Sequence, residues 1–426
     1  MTDPIIGDAA LARAEALAAD PKVALALEDL KSGAPEAMAL QVHLCEIPAP
    51  TFREEVRAAE IVRLMKSLGL ADVRIDDIGN VVGRRPGRGK GPVLALGAHM
   101  DTVFPAGTDT TVRREGSRYF APGIGDNCAG LRAMLEVLRV LEARDIRTEG
   151  DLLFVGTVGE EGNGDTRGAK HLFSHAPIPD GFIAIDNTDV GRILHQAIGS
   201  HRWRCTITGP GGHSFGAFGD VPSAIHAMCL AGGRIAHLEV PKNPKTTFTI
   251  GTIRGGTSVN TIAPSCSVDI DIRSMENEPI LALEKAVKAA FEEAIIEEHA
   301  IWGITDPAKM LKVEFEQIGL RPAGSLPDDC SVIQAALAAQ KTLGIALTNY
   351  GASSTDANVA MMMGLPSTCL SAGGVQKRTH TVDEYYDDVD AYLGPQLILL
   401  SALALVGLSG QKPALEPTSC APAPFA

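Results

Sequence analysis

The sequence lacks a surplus of basic residues, and this shortage limits its partners. Lys and Arg number 38 against 52 Asp and Glu, so the formal net charge is −14. Binding to nucleic-acid phosphates needs clustered cations that release counterions. An acidic surface is also repelled by anionic lipid headgroups. We therefore expect neither a nucleic-acid partner nor a membrane partner.

The sequence also lacks a cysteine framework and a long apolar run. Its eight cysteines are scattered without a Cys-x-x-Cys pair, which is typical of reduced thiols in a cytosolic protein. The most apolar segment, Leu397 to Leu408, is shorter than the roughly 20 residues of a membrane span, and it indicates a buried terminal helix. The N-terminus has early acids and no cationic start, so no secretory signal is expected. These features predict a cytoplasmic protein.

A chain of 426 residues exceeds one ordinary core, so two domains are expected. Three continuous apolar runs, Val93–Ala98, Leu152–Val158 and Phe182–Ile185, alternate with amphipathic helical segments. Strands buried on both faces and separated by helices indicate an α/β domain with a mostly parallel sheet. The same pattern resumes late in the chain, with a helix expected around Ser331–Leu343.

Between these two parts the pattern changes to strict alternation of apolar and polar residues. Alternation of this kind predicts strands with one solvated face, hence an antiparallel sheet. The alternating segments are Trp203–Thr208, Val268–Arg273 and Leu311–Glu316, and helical segments are expected at about 222–238 and 279–299. The order β-α-β-β-α-β suggests an inserted ferredoxin-like module. We assign residues 197–318 to this insert, and residues 1–196 and 319–426 to one discontinuous domain.

Residues with metal-binding side chains follow the three predicted apolar strands. In open α/β sheets, ligands bind outside the carboxyl ends of the strands. Buried carboxylates at these positions are costly unless they are paired or bound to metal. The residues are His99 and Asp101 after the first strand, Glu160 and Glu161 after the second, Asp186 after the third, Asp126 before a helix and His380 in a late loop. This ordered set predicts a metal site at one edge of the sheet.

Six motifs resemble, in order and spacing, the M20 (M20/M25/M40) metallopeptidase family. They are HMD at 99–101, GDNCAG at 125–130, GEEG at 159–162, Asp186, GGHS at 211–214 and His380. The family includes peptidase T, carboxypeptidase G, aminoacylases and succinyl-diaminopimelate desuccinylase. The resemblance covers nearly the whole chain, and it implies a catalytic domain of zinc-peptidase-like architecture with an inserted lid and dimerisation domain.

The resemblance implies two divalent metal ions bridged by Asp126. His99 and Asp186 would bind one ion, and Glu161 and His380 would bind the other. Histidine and carboxylate ligands without thiolate suit zinc, with cobalt or manganese as possible substitutes.

The resemblance also implies amide or peptide hydrolysis, with a small peptide or an N-acyl amino acid as substrate. Glu160 would be the general base, and Asp101 would orient the histidine ligand in front of it. A cis peptide bond is expected between Asp126 and Asn127. Asn127 and Cys128 depart from the residues usual in the family, and Cys128 fits a small packing thiol better than a metal contact.

Further positions match the family's substrate contacts. His213 matches a histidine that stabilises the oxyanion in a neighbouring subunit's active site, so a homodimer through the insert is expected. Asn260, Arg273, Gly373 and Gly374 match residues that lie near the substrate. Arg273 shares the polar face of its strand with acidic residues, so a surface ion pair is an equally compatible interpretation.

Two other functions are compatible with parts of the sequence. Gly212–Gly216 fits the G-x-S-x-G nucleophile elbow, with Ser214, Asp356 and His380 in the order of a hydrolase triad. An elbow requires a helix directly after the serine, whereas helix signals begin only at Pro222. A metal-retaining protein without turnover is the second alternative, and the presence of Glu160 argues against it.

Overall fold

The computed structural model describes residues 4–89 and 91–425. The chain forms two compact units: the first comprises residues up to Ala197 together with those from Gly324, and the second is Ile198–Ala323. Before Ala197 the elements are α1 (Asp8–Ala19), α2 (Pro21–Ser32), α3 (Ala34–Cys45), α4 (Glu55–Ser67), β1 (Asp72–Ile75), β2 (Val81–Arg85), β3 (Val93–His99), β4 (Arg113–Glu115), β5 (Arg118–Phe120), α5 (Cys128–Ala143), β6 (Asp151–Thr157), α6 (Arg167–Ser174), β7 (Gly181–Ile185) and β8 (Arg192–Ala197).

The remaining elements complete both units. The second unit contains β9 (Gly199–Thr208), β10 (Gly212–His213), α7 (Ala224–Ala236), β11 (Thr246–Gly255), β12 (Thr261–Ile262), β13 (Ser265–Ser274), α8 (Asn277–Trp302) and β14 (Lys312–Arg321). The first unit resumes with β15 (Gly324–Ser325), α9 (Ser331–Thr342), β16 (Asn349–Ser353), α10 (Ala357–Met362), β17 (Ser367–Leu370), β18 (Val375–Lys377), β19 (Tyr385–Asp387) and α11 (Leu393–Val406).

A six-stranded mixed sheet forms the centre of the first unit, in the order β1-β2-β6-β3-β7-β17. β6, β3, β7 and β17 run parallel, whereas β1 and β2 join as antiparallel strands at one edge. The apolar strands are buried because helices cover the sheet, including α11, whose residues from Gly394 to Val406 are all buried. The described residues contain no helix that is both long enough and apolar enough to cross a membrane.

The second unit is built on an antiparallel sheet in the order β11-β13-β9-β14. Every second residue of β13 is buried, and the buried set packs with α7 and α8 in one apolar cluster. The alternation in the sequence thus has its expected structural cause, a sheet with one covered face. The helix α8 extends beyond the predicted segment at both ends.

Short strands form sheets that the sequence did not predict. β15, β8 and β16 make a three-stranded sheet, and β18, β19, β5 and β4 make a four-stranded one. Segments of two to six residues carry too little alternation to be distinguished from loops. The second of these sheets is close to the functional residues, because β18 and β19 lie on either side of His380 along the chain.

Candidate metal centre

The parallel strands bring the predicted ligands to one edge of the central sheet. β3 ends at His99, β6 leads into Glu160 and Glu161, and β7 is followed directly by Asp186. Because β6, β3 and β7 are neighbours and run in the same direction, their carboxyl ends lie side by side. The sheet therefore positions four of the polar side chains that the sequence analysis singled out.

Two groups of potential metal ligands share Asp126. His99, Asp126 and Asp186 form one group, and Asp126, Glu161 and His380 form the other; within each, the ligand atoms all lie within 4.8 Å of one another. A further group of the same compactness joins His99 with Glu160 and Glu161. All five residues expected as ligands are therefore brought together.

Asp126 presents its two carboxylate oxygens to two different imidazoles. Its Oδ1 lies 3.1 Å from His99 Nε2, and its Oδ2 lies 3.2 Å from His380 Nε2. The same nitrogen of His380 lies 3.1 Å from Glu161 Oε1. Asp126 therefore links the two groups of potential ligands.

The electrostatics of the cluster favour cations. Burial opposes ionisation of Asp126, yet hydrogen bonds with His380 and His99 hold the pKa of its carboxyl well below the usual range. Hydrogen bonds with Asp126 and Glu161 raise the pKa of His380 to about 10. Desolvation and the charge of Asp126 raise the pKa of Asp186. Carboxylates crowded in this way are stabilised by bound cations, and metal ions would replace the histidine protons.

Asp101 forms hydrogen bonds with the backbone of Glu160 and Glu161. It is fully buried, and its carboxylate accepts the N–H groups of Glu160 and Glu161 at 2.9 and 3.0 Å and the hydroxyl of Thr51 at 2.9 Å. The Nδ1 of His99 lies 3.1 Å from the Asp101 carbonyl oxygen and 3.5 Å from its carboxylate. Asp101 is thus in contact with the histidine that it was expected to orient, and it also fixes the glutamate pair.

The loop that carries Asp126 is fixed at the start of α5. The expected cis peptide bond between Asp126 and Asn127 is confirmed. Asn127 Oδ1 accepts the Gly130 N–H at 3.1 Å, and Asn127 Nδ2 donates to the Ile185 carbonyl at 2.8 Å. The unusual Asn127 therefore joins the loop to the end of β7, while Cys128 is buried in the apolar core.

Glu384 is a buried residue of this region that the sequence analysis missed. Its carboxylate accepts the backbone N–H groups of Gly123, Gly125 and Asp126 at 2.9, 2.9 and 3.0 Å. Burial and the charge of Asp126 raise the pKa of Glu384 to about 8, although the three N–H groups favour the ionised form. The only sequence signal was its position four residues after His380.

Gly373 and Gly374 are required by close packing. Both have φ near +80°, and added Cβ atoms would lie 2.4 Å from the Ala391 carbonyl oxygen and 2.2 Å from the Tyr386 hydroxyl, respectively. Gly374 also lines a cavity of about 490 Å³ that is bordered by Asn187 and Thr379, the neighbours of Asp186 and His380 in the sequence.

The residues predicted in the insert all lie in the second unit. His213 is exposed, and its Nδ1 accepts the backbone N–H groups of Phe215 and Gly216 at 3.2 and 3.3 Å. Asn260 Oδ1 accepts the Ser258 hydroxyl at 2.6 Å. Arg273 Nε donates to Asp271 Oδ2 at 2.6 Å, so the surface ion pair anticipated for Arg273 is present.

The structure contradicts the nucleophile elbow at Ser214. The residues after Ser214 form turns, and the next helix, α7, begins only at Ala224. The preceding strand, β10, contains two residues. A strand-serine-helix turn of the hydrolase type is therefore not formed.

Comparisons with known proteins identify the family of this chain. The family model for peptidase family M20/M25/M40 matches residues 95–404. The Bacillus subtilis protein YqjE is 28% identical over 361 residues, which cover 80% of this chain and 91% of YqjE.

Two solved structures extend the comparison. A tripeptidase from Staphylococcus aureus is 26% identical with a TM-score of 0.71, over 86% of this chain and 97% of the tripeptidase. The YXEP protein of Bacillus subtilis, described as a dinuclear metal-binding peptidase, has the same fold at a TM-score of 0.64 and 16% identity, over 88% of this chain and 99% of that protein. The chain therefore belongs to peptidase family M20/M25/M40 and is a hydrolase that acts on peptide C–N bonds.

Proposed function

We propose that the protein hydrolyses an amide or peptide bond of a small peptide or an N-acyl amino acid at a centre of two divalent metal ions. The observation that carries this proposal is Asp126, whose two oxygens contact the imidazoles of His99 and His380 separately. A carboxylate with this placement is suited to bridge two cations. The donors are imidazole nitrogens and carboxylate oxygens, a set that suits zinc and also accepts cobalt or manganese.

Each ion has its own ligands beside the shared Asp126. His99 and Asp186 would hold one ion, and Glu161 and His380 would hold the other, in line with the two compact groups of ligand atoms. When bound, the two ions supply Lewis acidity, which lowers the pKa of water and polarises the scissile carbonyl.

Glu160 is the proposed general base. Its side chain is buried, its ligand atom lies within 4.8 Å of those of His99 and Glu161, and Asp101 holds its backbone N–H. A carboxylate fixed there accepts a proton from the attacking water and passes it to the leaving nitrogen.

We also propose a role for the second unit as a ferredoxin-like lid and dimerisation domain. The order of its main strands and helices is the expected β-α-β-β-α-β. In a homodimer, the partner's His213 would stabilise the oxyanion, and Asn260, Arg273 and Gly374 would contact the substrate. The eight unpaired cysteines fit a reducing compartment, so the cytoplasm is the proposed location.

Metal analysis combined with an activity panel tests the proposal. We expect protein reconstituted with zinc, cobalt or manganese to bind two ions per chain and to cleave free peptides or N-acyl amino acids, and a chelator to abolish turnover. Asp126→Asn should lose metal and activity together. Asp109→Asn is the matched control, because Asp109 is exposed and its hydrogen bonds with Thr111 are local.

Two outcomes would contradict the proposal. Full metal content and full activity in Asp126→Asn would remove the bridging role. Two bound ions without cleavage of any peptide or N-acyl amino acid in the panel would instead support the metal-retaining protein without turnover.

A further inference from the structure

The second unit contains a cavity of about 330 Å³ beside His213. We call it the apolar pocket, because most of its wall consists of apolar side chains: Phe218, Val221, Ile225, Val259, Ile262 and Trp302. Its volume is within the range of pockets that bind small molecules. Of the side chains around it, only His226 is titratable, so the pocket is suited to an uncharged group.

The apolar pocket is lined by sequence neighbours of residues proposed to contact the substrate. His213 pairs with Thr261 in the β10–β12 ladder, and the Ser214 N–H donates to the Asn260 carbonyl at 3.0 Å. Ser214 and Thr261 both line the pocket. A group bound in the pocket would therefore lie against residues that are adjacent in sequence to His213 and Asn260.

The aromatic side of the apolar pocket is held in place by a buried carboxylate. Glu298 is 1% exposed, and its Oε1 accepts the Trp302 indole N–H and the Ser223 backbone N–H, each at 3.0 Å. The Phe218 ring meets Trp302 edge-to-face, with centroids 5.0 Å apart. The pocket is thus largely formed before a ligand arrives, which reduces the entropy lost on binding.

We propose that the apolar pocket is a specificity subsite that binds a bulky apolar or aromatic side chain, or an acyl group, of the substrate. This inference rests on the proposed function, in which His213 and Asn260 face the substrate. Phe218 and Val259 are 70% and 104% exposed, so a bound apolar group would remove their side chains from water. Burial of that surface is the driving force for binding.

Tryptophan fluorescence tests occupancy of the pocket without turnover. The sequence contains two tryptophans, Trp203 and Trp302, so Trp203→Phe leaves Trp302 as the single reporter. In this variant carrying Glu160→Gln, we expect Phe-Gly or Gly-Phe to shift or quench the emission, and Gly-Gly to have no effect. Emission that responds to none of the three peptides, or to all equally, would overturn the proposal.

Kinetics then test selectivity. An apolar pocket discriminates between groups that fill it and groups that do not by about 10- to 200-fold, so wild-type kcat/KM should favour a phenylalanine dipeptide over Gly-Gly by at least about ten-fold. Trp302→Ala should lower cleavage of the phenylalanine dipeptide more than cleavage of Gly-Gly, and so remove this preference. Ile253→Ala is the control, since Ile253 is also exposed in this unit but is not part of the pocket.

A second pocket variant is needed in case Trp302→Ala does not fold. Val259→Asp changes a fully exposed side chain and should lower the cleavage of phenylalanine dipeptides more than that of Gly-Gly. Equal losses for all peptides in both pocket variants would overturn the subsite. If the wild-type protein cleaves neither a peptide nor an N-acyl amino acid, the proposed function fails by itself, and the Trp302 emission still decides whether the pocket binds an apolar group.

Discussion

Glu384 offers a sharp test of how the metal centre is supported. Glu384→Gln replaces the carboxylate that accepts the N–H groups of Gly123, Gly125 and Asp126. The amide retains one acceptor oxygen, and its NH₂ group faces a backbone donor that is left without a partner. Loss of a buried charge-assisted hydrogen bond costs about 1.5–3 kcal/mol, so the free energy of unfolding should fall by about 2–3 kcal/mol.

The same change should weaken metal binding, because the backbone N–H of Asp126 loses its charged acceptor. Removal of an outer partner of a metal ligand commonly lowers metal affinity by about 10- to 100-fold. Metal titration and thermal unfolding should be measured above the Glu384 pKa of about 8, where the wild-type carboxylate is ionised. Glu46→Gln is the control, since the exposed Glu46 accepts one backbone N–H from Val112.

Two results would refute this reasoning. A lower unfolding temperature with unchanged metal affinity would mean that Glu384 stabilises the fold without positioning Asp126. Unchanged values for both would mean that its three hydrogen bonds are not needed at all.

Three further predictions concern the base, the dimer and the thiols. Glu160→Gln should retain both metal ions but lose most turnover, whereas Glu161→Gln should lose metal; equal metal content in the two purified variants would contradict these assignments. Mixing inactive His213→Ala with inactive Glu160→Gln subunits should partly restore activity, and no recovery after demonstrated subunit exchange would exclude a role for the partner's His213. Cys229 and Cys420 are exposed and should react rapidly with a thiol reagent, whereas fast reaction of buried thiols in the native protein would contradict the described packing.

Three of the five expected ligands could be predicted because each is linked to a local pattern. His99 ends one apolar strand, Asp186 directly follows another, and Glu161 follows a third. Neighbouring parallel strands bring the residues at their carboxyl ends together. Asp126 precedes a helix and His380 lies in a late loop, so the family resemblance was needed to assign their roles.

Contacts that depend on distant chain segments could not be predicted in the same way. Glu384 and the Asp126 N–H that it binds are separated by 258 positions, and no spacing rule relates them. The bond from Asp101 to Thr51 spans 50 positions and was missed for the same reason. The sequence indicates which strands end in side chains that can bind metal. Tertiary packing decides which distant residues form hydrogen bonds with the ligands and with the residues beside them.

The position of α11 determines when the first unit can be completed during synthesis. Its residues are buried in the cluster that also contains Leu17 of α1 and Leu94 of β3, so the last helix fills a core whose other members are made much earlier. Chains emerge from the ribosome N-terminus first, and domains fold as units. The second unit is contiguous and has its own apolar cluster, so it can fold while the first unit still awaits α11. The apolar surface that α11 covers therefore stays exposed in the nascent chain until α11 is released.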